Sequence, residues 1–236
     1  MNLLKCDFHI HTTYSDGICS VPEILALYAQ HQFDVIAITD HVVDKVSLRE
    51  FELQGGPRTV IRENFVDYLQ DLHQTAQLAR ESYDLHLIPS IEVTNNTKEY
   101  HILAIDVKEW IDPDWTVPQI IAEIQRQEGI AVACHPAPKE GEVLQGPFRH
   151  LYNHRQQYKD LFDAWEIANR YHLFPSIGLL KVPYLANSDL HRPEHIFSWK
   201  TLLNAEKYNT HSVKQAIRGH SKAIFFHSQV KTNQKD

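Results

Sequence analysis

Strand-length apolar runs alternate with helix-periodic segments along most of the chain, the pattern of successive βα units around a parallel sheet. LLKCDFHI reads as the first strand. The helix SVPEILALYAQHQ follows, with Ser20 as N-cap, Pro22 at its start and Ile24, Leu25, Leu27 and Tyr28 on one face. DVIAIT is the next strand, followed by a looser stretch around Gly55-Gly56-Pro57 and a long helix from about Glu63 to Glu81. LHLIPSIEV and YHILAI are strands separated by the turn signal Asn95-Asn96. A helix from about Val117 to Gln127 leads into the strand GIAVACHP, and the Gly- and Pro-rich residues Ala137 to Pro147 read as a loop. FDAWEIA and YLANSD are later strands, and a helix over 210–219 precedes AIFF. About seven strands result, without an internal repeat, and their order fits both a closed barrel and an open sheet. With 236 residues and no linker-like stretch, the expectation is a single α/β domain over 1–236.

The apolar runs end in residues of one chemical kind. In DFHIHTTYSDG, His9 and His11 stand at i and i+2, a spacing that on a strand turns both imidazoles to one face, and Asp16 follows. Asp40-His41 closes DVIAITDH, Glu92 lies near the end of LHLIPSIEV, and His101 opens YHILAI just after the turn. His135 closes GIAVACHP, and Asp189 and His191 follow YLAN. Imidazole and carboxylate bind divalent metals, and parallel strands deliver their C-terminal ends to one face, so these dispersed residues can meet. A lone His-x-His is weak evidence, since any wet strand face can carry one; the recurrence at strand after strand is what favours a metal site.

Histidine is the compositional oddity, with 16 against eight glycines. Those outside the strand ends, including His31, His73, His86, His150, His154, His211 and His220, receive no role, and His172 and His195 read as hydrogen-bonded or solvated. The formal net charge of -7 argues against an extended nucleic-acid surface. Cys6, Cys19 and Cys134 match neither a zinc knuckle nor a disulfide framework and suit a reducing compartment. Neither a signal-peptide core nor a run of membrane-spanning length stands out, so the expectation is a cytoplasmic protein without a membrane partner. Strand alternation turns Cys134 away from His135, which predicts a buried structural thiol. Asp40 is expected to orient a ligating histidine, and Ser15 and Gly17 to shape the turn that presents Asp16.

DFHIHTTYSDG, ITDH, the Glu92 and His101 region with CHP, and NSDLH resemble the four motifs of the polymerase and histidinol phosphatase (PHP) superfamily of metal-dependent phosphoesterases. The resemblance runs from residue 7 to residue 191 and implies a distorted (βα)7 TIM-like barrel. It also implies three divalent ions, of zinc, manganese or iron. One is held by His9, His11, Glu92 and Asp189, a second by Glu92, His101 and His135, and a third by Asp16, His41 and His191. Glu92, Asp189 and His191 are the expected catalytic residues, with hydroxide shared by the first two ions as nucleophile. Clustered cations neutralise a phosphate ester and acidify water, which is what its hydrolysis requires.

Arg170, with Arg192 and Lys139 behind it, is expected to clamp the phosphate of a small phosphorylated substrate, most simply a phosphomonoester of a metabolite, nucleotide or short oligonucleotide. An amidohydrolase-type deaminase or amide hydrolase, a nuclease-type phosphodiesterase and a non-enzymatic metal-binding domain are the competing readings. The stretch between ITDH and SIEV holds no long inserted domain, a departure that leaves the organic part of the substrate open.

Overall fold

The structure is a computed structural model and describes residues 3–137, 149–219 and 222–229. Among these residues ten strands form one sheet: β1 (Leu4–Asp7), β2 (Val35–Val43), β3 (His86–Asn95), β4 (Tyr100–Ile105), β5 (Ile130–Ala133), β6 (Ala164–Asn169), β7 (His172–Leu173), β8 (Tyr184–Asn187), β9 (Trp199–Leu203) and β10 (Lys222–Phe226). The helices are α1 (Val21–Gln30), α2 (Lys45–Gln54), α3 (Phe65–Tyr83), α4 (Val117–Arg126), α5 (His150–Asn153), α6 (Arg155–Tyr158), α7 (Pro175–Gly178) and α8 (Thr210–Arg218). No helix among the described residues is long and apolar enough to cross a membrane.

The α/β class is as expected, but the sheet is mixed and open rather than a run of parallel βα units. Its order is β10-β9-β1-β2-β3-β4-β5-β6-β7, with β8 beside β6. β1, β2 and β3 are parallel, as are β5, β6 and β8, whereas β4 runs antiparallel to both neighbours. The turn between β3 and β4 is too short for the crossover that parallel strands need. It closes as a hairpin in which Asn95 Oδ1 accepts from Lys98 N (2.7 Å) and Glu99 takes a φ of 60°. Curling of the sheet brings the chain after β8 to the chain after β1, where His11 N donates to Leu190 O (2.8 Å) and Leu190 N to His9 O (3.1 Å).

Side chains sort onto the two faces of the sheet. Ile36, Ile38, Ile91, Val93, Ala131 and Ala133 pack outward with helix residues such as Leu25, Leu72 and Ile124. Val35, Ala37, Ile88, Ile130, Val132 and Leu185 fill the inside of the curl with Val213 and Ile217 of α8.

Among the elements that the sequence pattern does not give, α2 and β9 escape it for identifiable reasons. Helix α2 buries only Ser47, so its apolar periodicity is nearly silent; it is held at its start by Asp44 Oδ1, which accepts from Val46 N and Ser47 N (3.2 Å each), and ended by Gly55 at a φ of 64°. Strand β9 carries a fully buried Lys200, which reads as a surface residue until its partner Asp7 is found 3.3 Å away.

Candidate metal centre

His9 and His11 flank Ile10, whose side chain packs with the helices, so both imidazoles face the inside of the curl. Glu92 stands likewise between the outward-facing Ile91 and Val93. The consequence is a tight convergence. Glu92 Oε2 lies 3.4 Å from His9 Nε2 and 3.3 Å from His11 Nε2, and Asp189 Oδ1 lies 3.4 Å from each of the same nitrogens. His9 Nε2 and His11 Nε2 are buried and lack a hydrogen-bond partner among the described residues, and Glu92 Oε2, buried between them, also stands 2.9 Å from His41 Nδ1. Buried polar atoms without partners are costly, and donors sharing one ion at 2.0–2.2 Å stand roughly 3–3.5 Å apart. These residues therefore fit a bound divalent ion.

The other oxygen of Glu92 faces a second group. Glu92 Oε1 lies 2.9 Å from His101 Nδ1, 3.2 Å from His135 Nε2 and 3.2 Å from Cys134 Sγ. His101 reaches it because β4 runs antiparallel, which puts the start of that strand beside the end of β3. The expectation that Cys134 and His135 point apart is corrected here. Cys134 continues the inward alternation of Ile130 and Val132, while His135 has a φ of 30° that breaks the alternation and turns its ring back to the same carboxylate. The thiol is buried, as expected, and burial together with Glu92 and Glu166 pushes its pKa well above the usual value.

A third group forms around Asp16. Its carboxylate lies 3.1 Å from His191 Nε2 and 3.6 Å from His41 Nε2, and the His11 ring stands 4.3 Å from the rings of both His41 and His191. The loop carrying Asp16 is tied down by Asp40, which accepts from Thr12 N (2.7 Å), Thr12 Oγ1 (2.8 Å) and Ser15 Oγ (2.6 Å). Asp40 thus holds the loop and, among the described residues, reaches the candidate ligand His11 through Ser15 Oγ, 3.5 Å from His11 Nδ1. Gly17 N donates to Thr12 O, and a Cβ at Gly17 would meet His11 O at 2.4 Å.

The electrostatics follow from packing imidazoles against carboxylates. Burial resists ionisation of Glu92 and Asp189, yet the surrounding histidines hold both well below the usual carboxylate range. Burial likewise opposes protonation of His41, but Glu92 and Asp16 raise it to about 9, and Glu92, Asp189 and Glu166 raise His9 in the same way. His11 is driven down to about 3 by burial and by the neighbouring His41 and His191, which leaves it neutral and ready to ligate.

Two supporting groups are assigned no part in the site by the sequence. Glu166, fully buried in β6, accepts from His9 Nδ1 (3.0 Å), His135 N (2.6 Å), Asn169 Nδ2 (2.8 Å) and Asn187 Nδ2 (2.8 Å). Inside an apolar strand a carboxylate of this kind is visible only as an anomaly in WEIAN. His195 Nδ1 accepts from His191 N (3.2 Å).

A cavity of about 360 Å³ opens over the cluster, lined by Asp16, His41, His101, His135, Asp189 and His191, with Phe51, Arg58, Arg170 and Phe174. Arg170 Nη2 donates to Asp189 O (2.8 Å) and Oδ2 (3.2 Å), which sets its guanidinium beside the carboxylate cluster. Arg192 is exposed and is not part of the lining, so the structure does not bring it to the cavity. Lys139 lies outside the described residues, and Arg58, which follows Gly55-Gly56-Pro57, is a cation that the sequence reading missed.

Clustered imidazole and carboxylate donors at the rim of a curled α/β sheet mark a metal-binding class of α/β protein. A family model described as the PHP domain matches residues 7–173, and the chain belongs to that family.

Among solved structures, the chain is similar to a two-domain protein from Bacteroides vulgatus containing a predicted PHP-like metal-dependent phosphoesterase, with 19% identity and a TM-score of 0.65; the match covers 96% of this chain and 65% of that one. PsfC from Pseudomonas syringae matches with 12% identity and a TM-score of 0.63, over 96% of this chain and 92% of its own. An amidohydrolase from Chromobacterium violaceum, holding sulfate and no metal, matches with 14% identity and a TM-score of 0.54, over 95% of this chain and 98% of its own. At such identities these likenesses speak for the fold. No curated protein sequence matches the chain.

Proposed function

We propose that the chain is a phosphoesterase that hydrolyses a phosphomonoester of a small metabolite, nucleotide or short oligonucleotide with clustered divalent ions. The observation that carries this reading is Glu92, whose two oxygens face different donor groups, Oε2 toward His9 and His11 and Oε1 toward His101 and His135. A carboxylate so placed could hold two ions at once and would offset their mutual repulsion. Bound divalent ions would supply charge neutralisation for the phosphate and acidification of water. His9, His11, Glu92 and Asp189 would hold one ion, Glu92, His101 and His135 a second, and Asp16, His41 and His191 a third.

The chain's own groups do the rest. Arg170 faces the cavity from beside Asp189 and neutralises a non-bridging oxygen of the phosphate. Phe51 and Phe174 give the organic part of the ester an apolar wall and keep water off the reacting centre. Amide hydrolysis is the rival, raised by the amidohydrolase among the structural neighbours. The bridging position here is held by Glu92, and no lysine lines the cavity among the described residues.

Phosphate release over a panel of monoesters, diesters and amides, with elemental analysis of the purified protein, tests the proposal. The expected result is chelator-sensitive release from monoesters, reduced about a thousandfold in Glu92→Gln. Turnover of amides alone, or near-normal activity of Glu92→Gln, would overturn it.

A further inference from the structure

Building on the proposed metal centre, we propose that Cys134 is itself a metal ligand, so that the ion beside Glu92 Oε1 sits in a nitrogen, oxygen and sulfur donor set that selects zinc over manganese or magnesium.

The position of the sulfur supports this. His101 Nδ1, His135 Nε2 and Cys134 Sγ surround a single carboxylate oxygen at 2.9, 3.2 and 3.2 Å. Ligand atoms of His9, Glu92, Cys134 and His135 all lie within 4.8 Å of one another. Zinc takes sulfur at about 2.3 Å and carboxylate oxygen at about 2.0–2.2 Å, which places two such donors roughly 3.1–3.6 Å apart, depending on the angle between the bonds. The observed separation falls in that interval.

The neighbouring proposed ion position shares this wall of the site: His9 belongs to the same group of donors, and its Nε2, facing Glu92 Oε2 and Asp189, is buried and without a hydrogen-bond partner among the described residues. The sulfur is also held where it is. Cys134 closes the inward-facing row of Ile130 and Val132, so its direction is fixed by the strand, and its neighbour His135 is turned back to the same carboxylate by its positive φ and by the bond from its N–H to Glu166.

Thiolate is a soft donor that favours zinc or ferrous iron, while carboxylate and imidazole alone accept manganese as well. The group formed by His11, Asp16, His41 and His191 has no sulfur, so the two ends of the cluster differ in the ions they prefer. On binding, the ion takes the sulfur lone pair and the thiol proton leaves to solvent. A thiol that served only to hydrogen-bond Glu92 would keep its proton and have no part in the choice of ion.

Cobalt(II) loading of the full chain separates these roles without reference to turnover. The expected spectrum contains a thiolate-to-cobalt charge-transfer band in the near ultraviolet, lost in Cys134→Ser and kept in Cys6→Ser. Zinc affinity, measured by competition with a chromophoric chelator, is expected to fall about tenfold in Cys134→Ser, with a smaller change for manganese. Cobalt bound by the wild-type chain without that band overturns the proposal while leaving the metal centre standing, and this reading needs no variant to fold. Failure to bind cobalt at all overturns both. A band that survives in Cys134→Ser overturns the assignment of the sulfur.

Discussion

Nδ1 of His9 stands 3.0 Å from Oε1 of Glu166, with both side chains sealed from solvent. The contact directs the N–H of the ring toward Glu166 and leaves Nε2 free to face Glu92 and Asp189. Glu166 accepts from three further donors, so an amide in its place would turn one acceptor into a donor facing donors. Glu166→Gln is expected to weaken metal binding about 10- to 100-fold, whereas His73→Ala, on the exposed side of α3, changes nothing. Metal titration of the purified variants checks both; wild-type affinity in Glu166→Gln would remove its orienting role.

The loop that carries Asp16 depends on one buried carboxylate. Asp40→Ala leaves Thr12 N, Thr12 Oγ1 and Ser15 Oγ without their acceptor in a buried place, at a cost of about 3 kcal/mol. Urea unfolding of the metal-free protein measures it, and a change below about 1 kcal/mol would mean that water replaces the carboxylate.

Candidate ligands at strand ends are readable from sequence because a strand fixes the face of its side chains and the apolar residues on either side reveal it. Ile10 between His9 and His11, and Ile91 and Val93 around Glu92, are of this kind. His101 is less legible, since it opens its strand and its placement rests on β4 running backward, a matter of topology rather than periodicity. Cys134 and His135 defeat the rule of alternation because one backbone angle, a φ of 30°, lies outside it. Glu166, Asp7 and Lys200 are charged residues in apolar strands whose partners come from distant parts of the chain, so their burial is invisible until the fold brings those partners in.

Gly17 is required by a close approach of backbone to backbone. A Cβ there would stand 2.4 Å from His11 O and 2.7 Å from Thr12 N, neither of which can move without disturbing His11, a ligand in the proposed centre. Gly17→Ala is expected to cost about 1–3 kcal/mol and to weaken metal binding at the Asp16 group. Thermal unfolding with and without zinc reads both effects; an unchanged melting temperature in both conditions would refute the steric account.

Metal and proton compete for His41. Its pKa in the metal-free protein is about 9, against an ordinary value of 6.5, because Glu92 and Asp16 outweigh the opposing effect of burial. Near neutrality the ring carries a proton that an incoming ion must displace, whereas His11, at about 3, is already neutral. The His41 contribution to apparent affinity therefore rises with pH up to about 9, by about tenfold per unit for the proton displaced. Folding of the metal-free chain has the opposite slope. A raised folded-state pKa contributes stability that is complete below 6.5 and lost as pH climbs through about 9. Calorimetric zinc titration in buffers of different ionisation enthalpy is expected to report proton release at neutral pH, and His41→Gln to lower the number released. Binding without proton release between 6.5 and 9 would place His41 outside the coordinating set.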